Sequence, residues 1–159
     1  MVIIRQRNYG GPKRRVGWLN HQGTKMAHEI VWEDNGVKVI TTGALDNDFL
    51  DSTMAARKDP RFMHAKYSIV DFRGVENFPI ESSMIKQIAI SDTEAYRLNP
   101  NMKLAILANK LVITGLIHIY KAYFALHNNE EHWDIRIFET EDEAREWIDA
   151  RQATVSPGP

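Results

Sequence analysis

The chain has 159 residues, of which 43% are hydrophobic and 26% are charged, and it has no cysteine. These proportions are typical of one soluble globular domain, and the absence of thiols excludes cysteine catalysis, cysteine-ligated metals and disulfide bonds. The net charge of −1 is unevenly spread, because residues 1–25 hold six Lys or Arg and no acid, which makes the rest of the chain acidic. An acidic body repels phosphate backbones, so we expect no nucleic-acid binding by the main domain.

The composition divides the chain into three segments. We predict that residues 1–25 form a basic arm, which is either flexible or upstream of the native start, that residues 26–150 form the domain, and that residues 151–159 form a disordered tail. The most apolar stretch, residues 104–126, is interrupted by Asn, His and Lys and is too short to cross a bilayer. Without such a segment or a secretory signal, we expect a cytoplasmic protein.

The first strong local signal is the pair Asn35-Gly36, which lies between two apolar runs. Asn-Gly favours a two-residue type I′ turn, so residues 28–34 and 37–42 are predicted to form a β-hairpin. The register that this turn would fix contains an opposite-charge pair and an apolar pair, Glu33 with Lys38 and Trp32 with Val39.

After Gly43, segments of helical and strand periodicity alternate. Strands are predicted at residues 67–72, 102–108 and 133–138, and a loop with Gly74 and Pro79 follows the first of them. Helices are predicted from Leu45 to the stop at Asp59-Pro60, from Met84 to Leu98, from Leu111 to Leu126, and after the capping box Thr140–Glu143.

The apolar residues of the last two helices predict which sides face the core. In the third helix they are Val112, Leu116, Tyr120 and Phe124, and in the fourth they are Ala144, Trp147 and Ile148. The full order, β-β-α-β-α-β-α-β-α, predicts an α/β fold with a mixed sheet of about five strands. An antiparallel hairpin opens this sheet, parallel β-α units follow, and the helices pack against it.

No motif of enzymatic chemistry is present in the sequence. We find no phosphate-binding loop, no dinucleotide fingerprint and no nucleophile elbow. The cluster from His127 to His132 misses the spacing of zinc-binding motifs and is interpreted as a solvated polar loop. We therefore expect no catalytic residue, no metal and no cofactor, and we expect a protein that is not an enzyme.

The most informative polar residues lie where a buried strand ends and the next helix begins. They are Asp71 and Arg73 after the strand, and Glu81, Ser82 and Ser83 at the helix start. In open α/β sheets, ligand and regulatory sites gather at this place, and the free N–H groups of the helix favour an anion or a serine phosphate. The alternative is structural: Ser82 or Ser83 caps the helix, and Asp71 bonds loop amides.

Four stretches together resemble the SpoIIAA-like family of bacterial STAS-type domains. They are Trp32–Gly43, Ile69–Val75, Lys103–Ala108 and Ile137–Ile148, and the resemblance covers residues 27–149. It implies a single STAS-like domain, with helices packed on a mixed sheet, and no cofactor. In the anti-sigma-factor antagonists of this family a serine at the helix start is phosphorylated and switches partner binding, and the resemblance aligns Ser82 with it.

Two residues depart from the motif of those antagonists. Glu81 replaces Asp, and Met84 replaces a Gly where a bulky side chain is expected to crowd the approach of a kinase. The resemblance implies a non-enzymatic regulatory or interaction module with a protein partner. A homodimer is one assembly that it allows.

The family is also similar to Sec14-type lipid-binding domains, which implies a rival function. The protein would then be a carrier or sensor of a small apolar or lipid-like ligand. The pocket expected for that ligand lies between the sheet and the helices, near Met84, Ile88, His118 and Tyr120. We expect a cavity of roughly 300 Å³ or more for a carrier.

Overall fold

A computed structural model of the chain describes residues 3–5, 18–19, 25–128 and 132–150. Most of the predicted arm, residues 1–25, and all of the predicted tail, residues 151–159, lie outside the described residues. The flexibility expected for both segments therefore stays a prediction, and so do the domain boundaries.

One mixed sheet organises the described part of the chain. Its strands are β1 (Ile3–Arg5), β2 (Trp18–Leu19), β3 (Lys25–Glu33), β4 (Gly36–Ala44), β5 (Tyr67–Asn77), β6 (Lys103–Leu107) and β7 (Asp134–Phe138). The order in the sheet is β1-β3-β4-β5-β6-β7, and β2 also pairs with β3. The β3–β4 pair is antiparallel and the pairs from β4 to β7 are parallel. The five strands β3–β7 confirm the predicted mixed sheet, and β1 and β2 extend it at the hairpin edge.

Helices cover both faces of this sheet. They are α1 (Asn47–Lys58), α2 (Ser82–Leu98), α3 (Leu111–His127) and α4 (Glu141–Asp149), and a 3₁₀ turn, Pro60–His64, follows α1. Because side chains alternate along a strand, Val70 and Phe72 of β5 pack with α1, α2 and α3 in the larger apolar cluster. Ile69 packs in a smaller cluster with Ala144 of α4 on the opposite face.

The register of the hairpin differs from the prediction by two residues. The loop residues are Asp34 and Asn35, so Glu33 pairs with Gly36 and Trp32 pairs with Val37. Gly36 is the first residue of β4, and the Tyr67 ring lies against it: a Cβ atom at Gly36 would be 2.6 Å from Cζ of Tyr67. The glycine is required for this close approach and not for the turn.

Strand β5 is longer than predicted, and the prediction of a loop at Gly74 is wrong. Pairing with β4 continues through Gly74 opposite Thr42, after a register shift that follows the pair Asp71–Ile40. A Cβ atom at Gly74 would lie 2.8 Å from Cγ2 of Thr42, so glycine permits the two strands to approach here. The loop that leads to α2 therefore begins after Asn77.

The buried sides of the last two helices correct two details of the prediction. In α3 the buried side is formed by Ile113, Ile117, Tyr120 and Phe124, whereas Val112 is 48% exposed. In α4 the capping box is confirmed: Thr140 Oγ1 accepts from Glu143 N and Glu143 Oε2 accepts from Thr140 N, both at 3.3 Å. Ala144 is buried, but Trp147 is only half-buried, against Phe138.

Candidate functional site

The start of α2 is exposed, and its serines do not cap the helix. Glu81 is the N-cap residue and makes no capping bond with its side chain, and Ser82 is the first helical residue. Ser83 Oγ donates a long hydrogen bond, 3.4 Å, to Glu81 Oε2. The capping interpretation of Ser82 and Ser83 is therefore wrong, because the N-cap position is Glu81, one residue before Ser82 and two before Ser83.

Asp71 and Arg73 form a tight pair beside the register shift in β5. Asp71 Oδ1 accepts from the Arg73 backbone N at 3.1 Å and from Nε at 2.9 Å, and Oδ2 accepts from Nη2 at 2.8 Å. Burial acts to raise the pKa of Asp71, but the hydrogen bonds and charge of Arg73 outweigh it and lower this pKa. Asp71 therefore bonds a backbone amide, but it is the amide of a strand residue, Arg73 of β5, and not a loop amide as expected.

Charged side chains join this pair to α4. Arg73 Nη2 lies 3.9 Å from Glu141 Oε2, which also accepts from Lys38 Nζ at 2.6 Å. Burial favours a higher pKa for Glu141, but the bonds from Lys38 and Arg145 lower it. Arg145 then reaches Glu33, with 2.8 Å from Nη1 to Oε2 and from Nη2 to Oε1. The Tyr67 hydroxyl also donates to Glu33. We call the seven side chains that connect α4 to the sheet in this way the α4 network: Glu33, Lys38, Tyr67, Asp71, Arg73, Glu141 and Arg145.

The five residues predicted to form one polar site are therefore divided by the sheet. Asp71 shares a face of β5 with Ile69 and belongs to the α4 network, whereas α2 packs on the opposite face. No hydrogen bond or ion pair joins Asp71 or Arg73 to Glu81, Ser82 or Ser83 among the side chains that the structure describes. The exposed serines remain together at the start of α2 without the strand residues.

A small cavity lies between the sheet and helices α1, α2 and α3, with a volume of about 80 Å³. Ile88 and Tyr120, two of the four residues expected near a ligand pocket, line it. Met84 is buried but does not line it. His118 is exposed on the outer side of α3, so its prediction as a pocket residue is wrong. It directly follows the buried Ile117, and one helical residue rotates a side chain by about 100°.

The polar end of this cavity is a buried group that sequence reasoning missed. Asp92, 1% exposed, forms an ion pair with Arg57 through its Oδ1 and accepts from the Tyr120 hydroxyl through Oδ2 at 2.6 Å. Burial raises the pKa of Asp92, although Arg57 opposes this, and burial beside Asp92 raises the pKa of Tyr120. A usable signal was present: Asp92 follows Ile85, Ile88 and Ala89 at helical spacing on the apolar side of α2.

The described residues contain no group of three His, Asp or Glu side chains that could hold a metal ion. In the loop interpreted as polar and solvated, the Nδ1 atoms of His127 and His132 lie 2.7 and 2.6 Å from the carbonyl oxygens of Tyr123 and Trp133. Glu130 and Glu131 of this loop lie outside the described residues. Among the described helices, none is both long and apolar enough to cross a membrane.

Comparison with known proteins identifies the fold. No protein-family model matches the chain, and no curated protein sequence matches it. Among solved structures, the chain is similar to the anti-sigma-factor antagonist SpoIIAA in its unphosphorylated form, with a TM-score of 0.52 and 13% identity. The match covers 77% of this chain and 96% of that chain. The chain therefore has a STAS-type, SpoIIAA-like fold, as the sequence predicted.

Proposed function

We propose that this protein is a non-enzymatic regulatory module of STAS type, which binds a protein partner through the surface around the start of α2. The fold supports the general class, because the similar structure is that of an anti-sigma-factor antagonist, in an unphosphorylated form. The observation that supports the place of binding is Ser82, which is exposed as the first residue of a 17-residue helix.

The surroundings of Ser82 suit a phosphate as the regulatory signal. The first turn of α2 has no acidic residue, and its free N–H groups and helix dipole would stabilise an anion at this position, although the carboxylate of the N-cap residue Glu81, next to Ser82 in the chain, opposes this. Met84 was expected to crowd the approach of a kinase, but its side chain is 8% exposed and packs in the core. The surface beside Ser82 is therefore accessible despite the departure from the family motif.

The cavity argues against the rival function of lipid carrier. Its volume of about 80 Å³ is well below the roughly 300 Å³ at which pockets for drug-sized ligands begin. A lipid-like ligand would require α1, α2 and α3 to move apart and to expose their apolar sides. We therefore prefer the regulatory module to the carrier.

Partner capture from the native host, with quantitative mass spectrometry, tests the proposal. The bait is the full chain as wild type, Ser82→Ala and Ser82→Asp, and Ser83→Asp is the control for a new charge one residue away. We expect Ser82→Ala to retain a specific partner and Ser82→Asp to reduce its recovery about tenfold or more. Urea unfolding should give the same stability for the wild type and Ser82→Ala, because this hydroxyl does not cap the helix. The two Asp variants should be as stable or up to about 1 kcal/mol more stable, because the helix dipole favours a negative charge in the first turn. Equal recovery of every protein by the Ser82 variants would contradict the switch.

A further inference from the structure

We propose that two copies of this chain form a dimer through the outer side of α3, with the two α3 helices packed antiparallel. The residues that pair are Val112, Gly115, Ile119, Ala122 and Leu126, which we call the α3 stripe. This dimer is independent of the regulatory role of Ser82. It is tested by molecular mass and not by partner recovery.

Helix α3 is apolar on both of its sides. Its inner side packs in the core, and Lys121 is its one Lys, Arg, Asp or Glu among 17 residues. On its outer side Val112 is 48%, Ile119 is 44% and Leu126 is 76% exposed. A helix that is apolar all round is normally buried all round, so the outer side of α3 lacks a cover among the described residues.

The spacing of the α3 stripe is that of a seam between two paired helices. Its residues follow one another at intervals of three, four, three and four, which are the a and d positions of a heptad. The stripe alternates large side chains with the small residues Gly115 and Ala122. The stripe is therefore shaped to receive another helix along its length.

The alternation of large and small residues favours an antiparallel partner of the same sequence. Such a partner sets Ile119 against Ala122 and Leu126 against Gly115, so that each large side chain fills the space beside a small residue. Alanine at Gly115 would keep this position small and is compatible with the pairing. Two-fold symmetry makes each contact twice, and antiparallel helices bring opposite ends of their dipoles together.

The exposed area fits a dimer interface. Leu111, at the start of α3, is 91% exposed, and together with the large residues of the α3 stripe it presents roughly 450 Å² of apolar surface. A standard interface takes about 800 Å² from each partner, of which about 56–65% is apolar, or about 450–520 Å². The outer side of α3 therefore offers the apolar surface that one subunit of a standard dimer contributes.

The charges of the chain favour a second copy over a membrane surface. A helix that lies on a membrane is rich in Lys and Arg along its polar side, whereas α3 has only Lys121. Outside residues 1–25 the chain is acidic and would be repelled by anionic headgroups. The residues that follow α4 are a poor cover as well, since Val155 is the one large apolar residue among residues 151–159.

Sedimentation velocity of the full chain, from about 1 to 300 µM, tests the dimer. We expect the average mass to rise from 18.3 kDa towards twice this value, with a dissociation constant in the micromolar range or below. Ile119→Arg and Leu126→Arg should each weaken the dimer at least tenfold, because each buries an unpaired charge in the seam. Both side chains are exposed in the single chain, so the fold should persist in at least one variant.

Ile90→Arg is the matched control. Ile90 is 42% exposed on α2, nearly the same fraction as Ile119 on α3. Its helical neighbours Lys86, Gln87 and Glu94 are polar and exposed, so Ile90 is a solitary apolar residue on a solvated surface. The dissociation constant should change less than about twofold. Equal weakening by Ile90→Arg and Ile119→Arg would overturn the assignment to the α3 stripe.

Single cysteines test the antiparallel arrangement, since the chain has no thiol of its own. In this pairing the two copies of Ala122 lie beside the two-fold axis, whereas the two copies of Leu111 lie about 28 Å apart along the helices. With diamide as the oxidant of the thiols, Ala122→Cys should form the linked dimer at least tenfold faster than Leu111→Cys. Equal rates would overturn the antiparallel pairing.

Three further outcomes would overturn the proposal. The first is a wild-type chain that stays monomeric at every concentration. The second is a monomer that becomes a dimer when residues 1–24 are deleted, which would assign the α3 stripe to that segment. The third is a monomer that sediments with vesicles of phosphatidylcholine and phosphatidylglycerol and loses this binding in Ile119→Arg, which would assign the stripe to a membrane.

Discussion

The ring of Tyr67 lies against the backbone of Gly36 and is held there from the other end. Its hydroxyl donates to Glu33 Oε2 at 2.5 Å, and Glu33 is itself bound by Arg145. Burial, together with the neighbouring Glu33, raises the pKa of Tyr67 to about 12, so the hydroxyl remains a donor at neutral pH. The ring therefore has little freedom to move away from the strand.

Gly36→Ala should consequently destabilise the protein. The new methyl group would overlap the Tyr67 ring, and we expect a loss of about 1–3 kcal/mol in the free energy of unfolding, measured with urea. Gly115→Ala is the control, because no atom lies within 4 Å of its added Cβ. In the middle of α3 this change should stabilise by up to about 1 kcal/mol. Equal effects of the two substitutions would show that Tyr67 does not restrict Gly36.

Asp71 should contribute to stability in a pH-dependent manner. Its folded pKa and that of Glu141 are lowered, so their contribution is present above the unfolded values and is lost as the pH falls. The folded pKa of Asp92 is raised, so its contribution has the opposite sign and is lost as the pH rises through that pKa. We therefore expect the free energy of unfolding to decrease as the pH is lowered from about 5 to about 3.

Asp71→Asn tests this dependence. At neutral pH it should cost about 1–2 kcal/mol, because it removes charge-assisted bonds from Arg73. The decline of stability between about pH 5 and pH 3 should then be shallower than in the wild type. Asp134→Asn removes a half-exposed carboxylate that also faces an arginine, and should cost less than about 0.5 kcal/mol at neutral pH. An unchanged decline in Asp71→Asn would assign the pH dependence to other groups.

The first turn of helix α4 is stabilised by the helix's own capping box, whereas its last turn is stabilised by a residue of the sheet. Its last turn has no basic residue. Lys103 of β6 supplies the positive charge instead: its Nζ donates to the carbonyl oxygens of Trp147, Ile148 and Ala150 at 2.8, 3.1 and 3.0 Å. A cation at a helix C-terminus satisfies free carbonyls and favours the helix dipole.

Lys103→Met should therefore loosen the end of α4. We expect a loss of about 1–2 kcal/mol in stability and faster amide exchange in the last turn of α4, while exchange in α2 stays unchanged. The control is Lys86→Met, since Lys86 is exposed on α2. Exchange that accelerates equally in α2 and α4 would indicate general destabilisation and not the loss of this cap.

Trp133 and Trp147 differ in how deeply they are buried on the two faces of the sheet. Trp133 is 1% exposed, its Nε1 donates to Asn99 O at 2.7 Å, and its ring lies 5.5 Å from that of Phe124. Trp133→Ala should cost about 3–5 kcal/mol. Trp147→Ala should cost about 2 kcal/mol, which is less than for a core residue, because Trp147 is half-buried between Phe138 and the side chains of Lys103 and Arg136. Urea unfolding of both variants measures the two losses in stability, and a larger loss for Trp147→Ala than for Trp133→Ala would contradict this expectation.

The helices and strands were predictable because each has a local periodicity, as Ile85, Ile88 and Ala89 show in α2. What decides the hairpin register is not local. Asn35-Gly36 favours a turn by itself, but in the structure Gly36 is a residue of β4 that pairs with Tyr67 of a later strand. In β5 the local pattern around Gly74 indicates a loop, whereas the strand continues there in pairing with Thr42 of β4, a residue distant in the sequence.

The candidate sites were predictable to different degrees for a similar reason. The start of α2 has a local pattern, and the observed helix begins at Ser82, two residues before the predicted Met84. The group at the polar end of the cavity is assembled from three helices, with Arg57 on α1, Asp92 on α2 and Tyr120 on α3. Of these three residues, only Asp92 is recognisable in the sequence, because its carboxylate interrupts the apolar side of α2. Nothing in the sequence around Arg57 indicates that Asp92 is its partner.

At the scale of the molecule, β3 lies near one edge of the sheet and is extended there by two short strands. Ile3–Arg5 pairs with it in parallel, and Trp18–Leu19 pairs with it in antiparallel orientation. Deletion of residues 1–24 leaves β3 intact, since β3 begins at Lys25. We expect the thermal midpoint to change by less than about 5 °C, equivalent to about 1–2 kcal/mol for a chain of this length. A larger drop would show that the pairing of β1 and β2 with β3 contributes substantially to the stability of the domain.

The order of the strands in the sheet has a consequence for synthesis on the ribosome. From β3 to β7 it is the order along the chain, so each emerging strand finds its neighbour already made. Helix α4 is the exception, because Arg145 bonds Glu33 across 112 residues and Glu141 bonds Lys38 across 103. A nascent chain that stops before α4 would leave Ile69, Ala105 and Leu107 uncovered on one face of the sheet. The nine residues of α4 therefore close the nascent domain by joining the last part of the chain to its first hairpin.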